Sequence, residues 1–220
     1  MTYSETAHAL LIDMDGTLVD STAAVERLWR DWCREHALDP DVVLAVSHGR
    51  QGHDVMAEFL PHRTHEENLA ENRDMLAREV LDLEGVVEIP GAAMFIRSLD
   101  PFRHALVTSA NVPLAAARLG AASVPMPVVR VTSEDVARSK PHPEGFLRGA
   151  ELLGVDPADC IVLEDSGAGI AAARAAGMRV IGVGAGSAIH SPDVVVADLT
   201  SLRVTAAGAD DDAFVVSVAE

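Results

Sequence analysis

Asp13 and Asp15 stand at the end of the apolar run Leu10-Leu11-Ile12, and Gly16-Thr17 follows at once. Alternate side chains of a strand share a face, so both carboxylates can point the same way where strand gives way to loop. Like charges crowded there repel unless a cation or a functional partner compensates. The pair therefore suggests a site. A second acidic pair, Glu164-Asp165, ends the run Ile161-Val162-Leu163 and opens into Ser166-Gly167-Ala168-Gly169. Between the two pairs, Ala105-Leu106-Val107 leads into Thr108-Ser109-Ala110-Asn111. A hydroxyl at a strand end, beside free amides, can hydrogen-bond a phosphoryl oxygen. Further on, Lys140 precedes Pro141-His142-Pro143, and the prolines hold the chain extended with few alternatives for the lysine.

Each stretch has an ordinary alternative: an acidic turn, turn hydroxyls, a surface lysine. Two specific alternatives fail on spacing or charge. A calcium-binding EF-hand needs Gly at its sixth loop position and Glu at its twelfth, but counting from Asp13 these are Leu18 and Ala24. The run Gly167 to Ala172 reads G-x-G-x-x-A, as a dinucleotide fingerprint does. There Glu164 and Asp165 would place negative charge where a pyrophosphate must approach.

The elements that must position these groups follow from periodicity. The apolar run His8 to Ile12 is a strand. Ser21 is placed to cap a helix carrying Val25, Leu28, Trp29, Trp32 and Cys33 at helical spacing, which fades at Asp39-Pro40. Helical stretches over 41–46, 54–60 and 65–83 follow, broken by the loop Ser47-His48-Gly49-Arg50-Gln51-Gly52-His53. Residues 20–90 are thus expected to be a helical domain inserted into a second domain, 1–19 and 91–220. From Pro90-Gly91 onward helices and strands alternate, with strands at 104–108, 128–131, 160–163 and 179–183. That alternation predicts an α/β fold, a parallel sheet between helices, with ligands at the carboxyl ends of the strands. Residues 203–218 alternate weakly around the polar turn Ala207-Gly208-Ala209-Asp210-Asp211-Asp212 and read as a two-strand appendage.

Composition sets the outer bounds. Of 220 residues, 49% are apolar, enough for a sizeable core, and the formal net charge of −17 argues against nucleic acid or anionic membrane surfaces as partners. No apolar stretch approaches the roughly 18 residues of a membrane span, and no basic-then-apolar leader stands at the start. Cys33 and Cys160 read as reduced, buried thiols, and a cytoplasmic location is expected.

The four stretches, in order and each at a strand end, resemble the four motifs of the haloacid dehalogenase-like phosphohydrolases. The resemblance implies a Rossmann-like three-layer core with an inserted helical cap. It makes Asp13 the nucleophile that becomes an aspartyl-phosphate and Asp15 the general acid/base. Thr108, the Ser109 amide and Lys140 would bind phosphate. Asp13, the Asp15 carbonyl and Asp165 would hold Mg²⁺, with Glu164 outer-shell or alternating, since Mg²⁺ prefers hard oxygen ligands. The substrate would be a small phosphate ester, closed over by the cap. Within the superfamily, Val46-Ser47-His48-Gly49-Arg50, Glu134-Asp135-Val136, Lys140-Pro141-His142-Pro143-Glu144 and Glu164-Asp165-Ser166 are most like the sugar- and polyol-phosphate phosphatases. Arg50 and His48, in the break between cap helices, are candidate contacts to the non-transferred part of the substrate.

Four rivals share some of these features. β-Phosphoglucomutase-like enzymes carry the same motifs but typically a histidine near position 25, which is Val25 here. Haloacid dehalogenases need neither Asp15 nor the metal acids. A non-catalytic phosphate-binding regulator or an inert scaffold would not need every chemical position filled, as it is in this chain.

Overall fold

The computed structural model describes residues 3–208 and 212–219. Its first strands are β1 (Ser4–Ala7) and β2 (Ala9–Ile12), followed by the two-residue β3 (Val19–Asp20). Four helices come next: α1 (Thr22–Glu35), α2 (Pro40–Ser47), α3 (Gly52–Phe59) and α4 (His65–Leu81). The chain returns through β4 (Val87–Glu88), which pairs antiparallel with β3, Val19 opposite Glu88. Helices and strands then alternate: α5 (Ala92–Ser98), β5 (His104–Val107), α6 (Val112–Ala121), β6 (Arg130–Val131), α7 (Glu144–Leu153), β7 (Cys160–Glu164), α8 (Gly167–Ala175) and β8 (Arg179–Val183). Strands β9 (Val194–Val196), β10 (Leu202–Ala206) and β11 (Phe214–Val218) complete it.

The main sheet is wholly parallel in the order β6-β5-β2-β7-β8-β9. Its four inner strands, β5, β2, β7 and β8, are buried on both faces, which is why they read as near-continuous apolar runs. Alternation along them sorts two cores: Leu10, Ile12, Leu106 and Leu163 pack on the α5–α6 side, Leu11, Val107 and Val162 on the α7–α8 side. Strand β2 is central. Ile12 is level with Leu106 of β5 and with Leu163 of β7, so the residues just beyond these three must meet. The chain also reverses its order of strand addition at β2, the place where such sheets open a crevice.

The helices of residues 22–81 bury a core of their own. Trp29, Trp32, Cys33, Val43, Val55, Met56 and Met75 form it, the two indoles meeting edge to face at 5.3 Å. Asp39 caps α2 with Pro40 in its first turn, and Thr64 and Glu67 form a capping box on α4.

Three expectations change. The tail is part of a three-stranded sheet, because Ser4–Ala7 adds to β11 on the side away from β10; Ala209, Asp210 and Asp211 of the expected turn lie outside the described residues. The strand expected from Val128 begins only at Arg130, after Pro127, which has no N–H to give a ladder. Ser21 occupies the cap position of α1 but makes no capping bond. Its hydroxyl is taken elsewhere, as described below. Both cysteines are buried and unpaired.

Candidate active site

Asp13 continues the ladder of β2, its N–H donating to the Leu163 carbonyl at 3.0 Å, and is 4% exposed. The chain then turns sharply, with the Met14 carbonyl accepting from the amides of Leu18 and Val19. Gly16 makes this turn at φ +83°, and a Cβ there would lie 2.0 Å from Asp165 Oδ2. Only glycine brings the first loop so close to the fourth motif.

Lys140 reaches in from the other side. Its Nζ donates to Asp13 Oδ1 at 2.5 Å, to Glu164 Oε1 at 2.7 Å and to the Val107 carbonyl at 3.3 Å, and the side chain is 6% exposed. Burial works against that charge, but Asp13 and Glu164 outweigh it and hold the ammonium above the usual lysine range. Glu164 is fully buried. Its Oε2 accepts from the Ser166 amide at 2.7 Å and the Ser166 hydroxyl at 3.0 Å. A Cβ on Gly169 would fall 1.7 Å from Glu164 Oε1. The glycine of the G-x-G string thus makes room for a carboxylate, the opposite of a pyrophosphate cradle.

Oxygens of Asp13, Glu164 and Asp165 lie within 4.8 Å of one another. Burial pushes the Asp13 carboxyl up to about 7 against the pull of Lys140, with Glu164 adding to the rise. Asp165 is pushed up to about 9, by burial first and then by Glu164 and Asp13. Asp165 Oδ1 is buried with no hydrogen-bond partner. Three converging carboxylates, one cation short of balance and one oxygen unsatisfied, suit a hard divalent ion such as Mg²⁺. With Glu164 already engaged by Lys140 and Ser166, Asp13 and Asp165 are the freer donors of the three.

Thr108 follows β5 directly and lines the same cavity as Asp13, Asp15, Ser109 and Asp165. Its hydroxyl accepts from the Ala110 amide at 3.1 Å, which orients it. The cavity is about 370 Å³, and its far wall comes from the helical insert: Val25, Trp29, His48, Arg50, Gln51, His53 and Asn72 all line it. The insert is tied to the sheet at this place. The Ser109 hydroxyl donates to the Gly49 carbonyl at 2.8 Å, Gln51 Nε2 to the Ser133 carbonyl at 3.4 Å, and the Ser139 hydroxyl to Asp54. Arg50 pairs with Glu58 at 2.8 Å, while its Nε is buried without a partner. Burial holds the His53 imidazole below its usual range, against Asp54.

Two charged residues escaped the reading of the sequence. Arg118 of α6, 4% exposed, bridges Asp15 Oδ1 at 2.9 Å and Glu79 Oε2 at 3.0 Å, the latter on α4. Ser21 donates to the same Asp15 oxygen at 2.6 Å, which is why it does not cap its helix. A signal was present. Arg118 follows Leu114 and Ala115 on the buried stripe of α6, and Glu79 follows Met75 on that of α4. On α6 this is a charge on an apolar stripe, which needs a buried partner, whereas the buried face of α4 also carries Asn68 and Asn72.

Comparison with known proteins agrees with this geometry. The family model for haloacid dehalogenase-like hydrolases matches residues 7–177, which include all four motifs, three at strand ends and that of Lys140 in the loop nine residues past β6. Hexitol phosphatase A of Escherichia coli is 40% identical over 200 residues, covering 89% of this chain and 93% of that protein. Glycerol-1-phosphate phosphohydrolase 2 of Saccharomyces cerevisiae is 32% identical, covering 93% and 88%. The solved β-phosphoglucomutase of Clostridium difficile superposes with a TM-score of 0.78 over 90% of this chain and 93% of its own, at 21% identity, a likeness of fold. A carboxylate-and-lysine centre at the switch point of a parallel sheet, inside a family match that spans most of the chain, places this protein among the haloacid dehalogenase-like hydrolases.

Proposed function

We propose that this chain is a Mg²⁺-dependent phosphatase that hydrolyses a small phosphorylated sugar or polyol through an aspartyl-phosphate on Asp13. The observation that carries the reading is the placement of Asp13. Its carboxylate sits against Lys140 at 2.5 Å, beside Asp165 and Glu164, on the wall of a cavity large enough for a small metabolite.

In this reading Asp13 attacks the phosphorus in line, and the bond to the departing alcohol oxygen breaks. Asp15 supplies the proton that this oxygen takes up. Asp15, now ionised, accepts a proton from the water that attacks the aspartyl-phosphate, and inorganic phosphate leaves with Asp13 restored. Lys140, the Thr108 hydroxyl and the Ser109 amide hold the charge on the phosphoryl oxygens. Asp13, the Asp15 carbonyl and Asp165 would hold Mg²⁺ directly, with Glu164 behind them. When bound, the ion supplies positive charge to the nucleophile and the phosphoryl group.

Residues 20–90 act as a cap on the core formed by 1–19 and 91–220, excluding bulk water and meeting the non-transferred part of the substrate through His48 and Arg50. The hexitol and glycerol phosphatases among the relatives support a polyol or sugar substrate. Val25 on the cavity wall supports hydrolysis over phosphoryl transfer between sugar hydroxyls, which in the mutases goes with a histidine near this position. Among the described residues no helix is long and apolar enough to cross a membrane, and we place the enzyme in the cytoplasm.

Phosphate release from a panel of C2 to C6 sugar and polyol phosphates, with Mg²⁺ and with EDTA, tests this. Metal-dependent release from at least one polyol or hexose phosphate is expected. Release that persists in EDTA, or none from any ester, contradicts it.

A further inference from the structure

Arg118 does more than a structural ion pair requires. A buried guanidinium needs a carboxylate nearby, and Glu79 at 3.0 Å would meet that need. Yet the other arm of the fork ends on Asp15, which lies beside the nucleophile in sequence and lines the cavity. Both polar partners of the Asp15 carboxylate among the described residues, Ser21 Oγ as hydrogen-bond donor and Arg118 Nη1 as ion pair, use Oδ1. Oδ2 is left to exchange the proton.

The two arms also belong to different parts of the molecule. Glu79 is on α4 of the helical insert, whereas Arg118 and Asp15 belong to the sheet region. Helices α4 and α6 pack directly on each other, and Glu79 is buried against Arg118. Burial pushes the Glu79 carboxyl up to about 7 against the attraction of Arg118, so this carboxylate depends on its one cation. Without Arg118, Asp15 and Glu79 would face each other as like charges across a buried gap. The guanidinium Nε is buried and unpartnered, so the side chain has given up a hydrogen bond to keep both arms engaged.

We propose that Arg118 is a positioning residue for Asp15, and that Glu79 ties this positioning to the seating of the helical insert on the sheet. With the insert seated, Glu79 fixes the guanidinium plane and Arg118 holds Asp15 Oδ1, so that Oδ2 meets the leaving oxygen. If the insert lifts, Glu79 departs and Arg118 loses its second anchor. Proton transfer is thereby favoured only when the cavity is closed to bulk water. The proposal rests on Asp15 being the general acid/base.

The test is a comparison of leaving groups. An alkyl ester such as glycerol phosphate needs a proton on its departing oxygen, and p-nitrophenyl phosphate does not. With the metal-loaded full chain in single-turnover experiments, Arg118→Met should lower the rate of alcohol release from the alkyl ester by about tenfold to a hundredfold, with KM changed by less than about threefold. The single-turnover rate of nitrophenol release from p-nitrophenyl phosphate, which precedes the water step, should fall by less than about threefold, which also reports a folded core. Arg118→Lys, lacking the fork, should recover part of the loss. Glu79→Gln keeps the volume and should lower alkyl-ester kcat by a smaller factor, with little further loss when combined with Arg118→Met. It also carries the test if Arg118→Met fails to fold. Equal losses on both esters would make the pair purely architectural, and a rise in KM at constant kcat would make Arg118 a substrate contact. Either result overturns the proposal. Asp15→Asn is the reference: it must show the leaving-group split itself. If it does not, the acid role of Asp15 fails and this proposal fails with it. If it does and Arg118→Met does not, the proposal alone fails.

Discussion

The sheet side and the helical side of the cavity are built on different principles. On the sheet side nearly every charge has a fixed partner. Lys140 holds Asp13 and Glu164, Ser166 holds Glu164, and Arg118 and Ser21 hold Asp15. The exceptions among the described residues are Asp165 Oδ1, at the place where a cation would sit, and Arg118 Nε, whose other two nitrogens are both in ion pairs. On the helical side polar atoms are left open at the cavity: Arg50 Nε and His53 Nδ1 are buried without partners. The difference separates two jobs. Reaction needs groups held before substrate arrives. Recognition uses groups whose hydrogen bonds a substrate can complete, and whose loss costs one substrate more than another.

The largest effect should follow removal of the proposed nucleophile. Asp13→Asn exchanges a carboxylate oxygen for an amide at nearly constant volume. Turnover should drop by about 10⁴ or more on every ester, while the folded chain persists by circular dichroism. A variant that keeps metal-dependent turnover within tenfold would remove Asp13 from its role.

Next comes the cation. Asp165→Ala should abolish turnover or raise the Mg²⁺ requirement sharply, measured by phosphate release against metal concentration. The same cluster predicts a pH effect on stability. Asp13 and Asp165 are raised to about 7 and about 9, so without metal the folded chain keeps protons that the unfolded chain has lost. Stability in EDTA should therefore be highest at and below about pH 4 as far as these groups are concerned, and fall as pH rises from there towards 9. Mg²⁺ should raise the melting temperature most at the alkaline end of that range. A metal effect independent of pH would contradict the clustering.

The smallest effect belongs to the helical side. Arg50→Ala should lower kcat/KM several-fold for the best polyol or sugar phosphate and leave p-nitrophenyl phosphate nearly unchanged. Uniform behaviour on both would return Arg50 to a purely structural role with Glu58.

Much of the sheet side was legible in sequence because three of the four motifs are local, an apolar run of four or five residues and then its polar group at once; Lys140 instead lies nine residues past β6 and was marked by the prolines that follow it. The parallel sheet does the rest, since adjacent strands in register bring their ends together. Non-local features were not legible. Strand β1 reads Ser-Glu-Thr-Ala, mostly exposed, and pairs with a strand some two hundred residues later. The three residues of β9 follow Pro192-Asp193 and are too few to show a period. Ser21 sits where a capping serine should, but the acidic group of Asp15 captured its hydroxyl. The Arg118–Glu79 contact joins two helices from different parts of the chain; Arg118 shows only as a charge on an apolar stripe, and Glu79 is masked by Asn68 and Asn72 on the same face.

The central claim is that phosphate passes through Asp13. Excess enzyme mixed with ³²P-labelled substrate and Mg²⁺, quenched in acid during a single turnover and reduced with borohydride, would convert an aspartyl-phosphate to homoserine. Peptide mass spectrometry should then find homoserine at position 13, with acid-stable protein-bound label rising and falling in step with turnover. Label or reduction mapped to another residue, or undiminished turnover by the Asp13→Asn chain, would contradict the account.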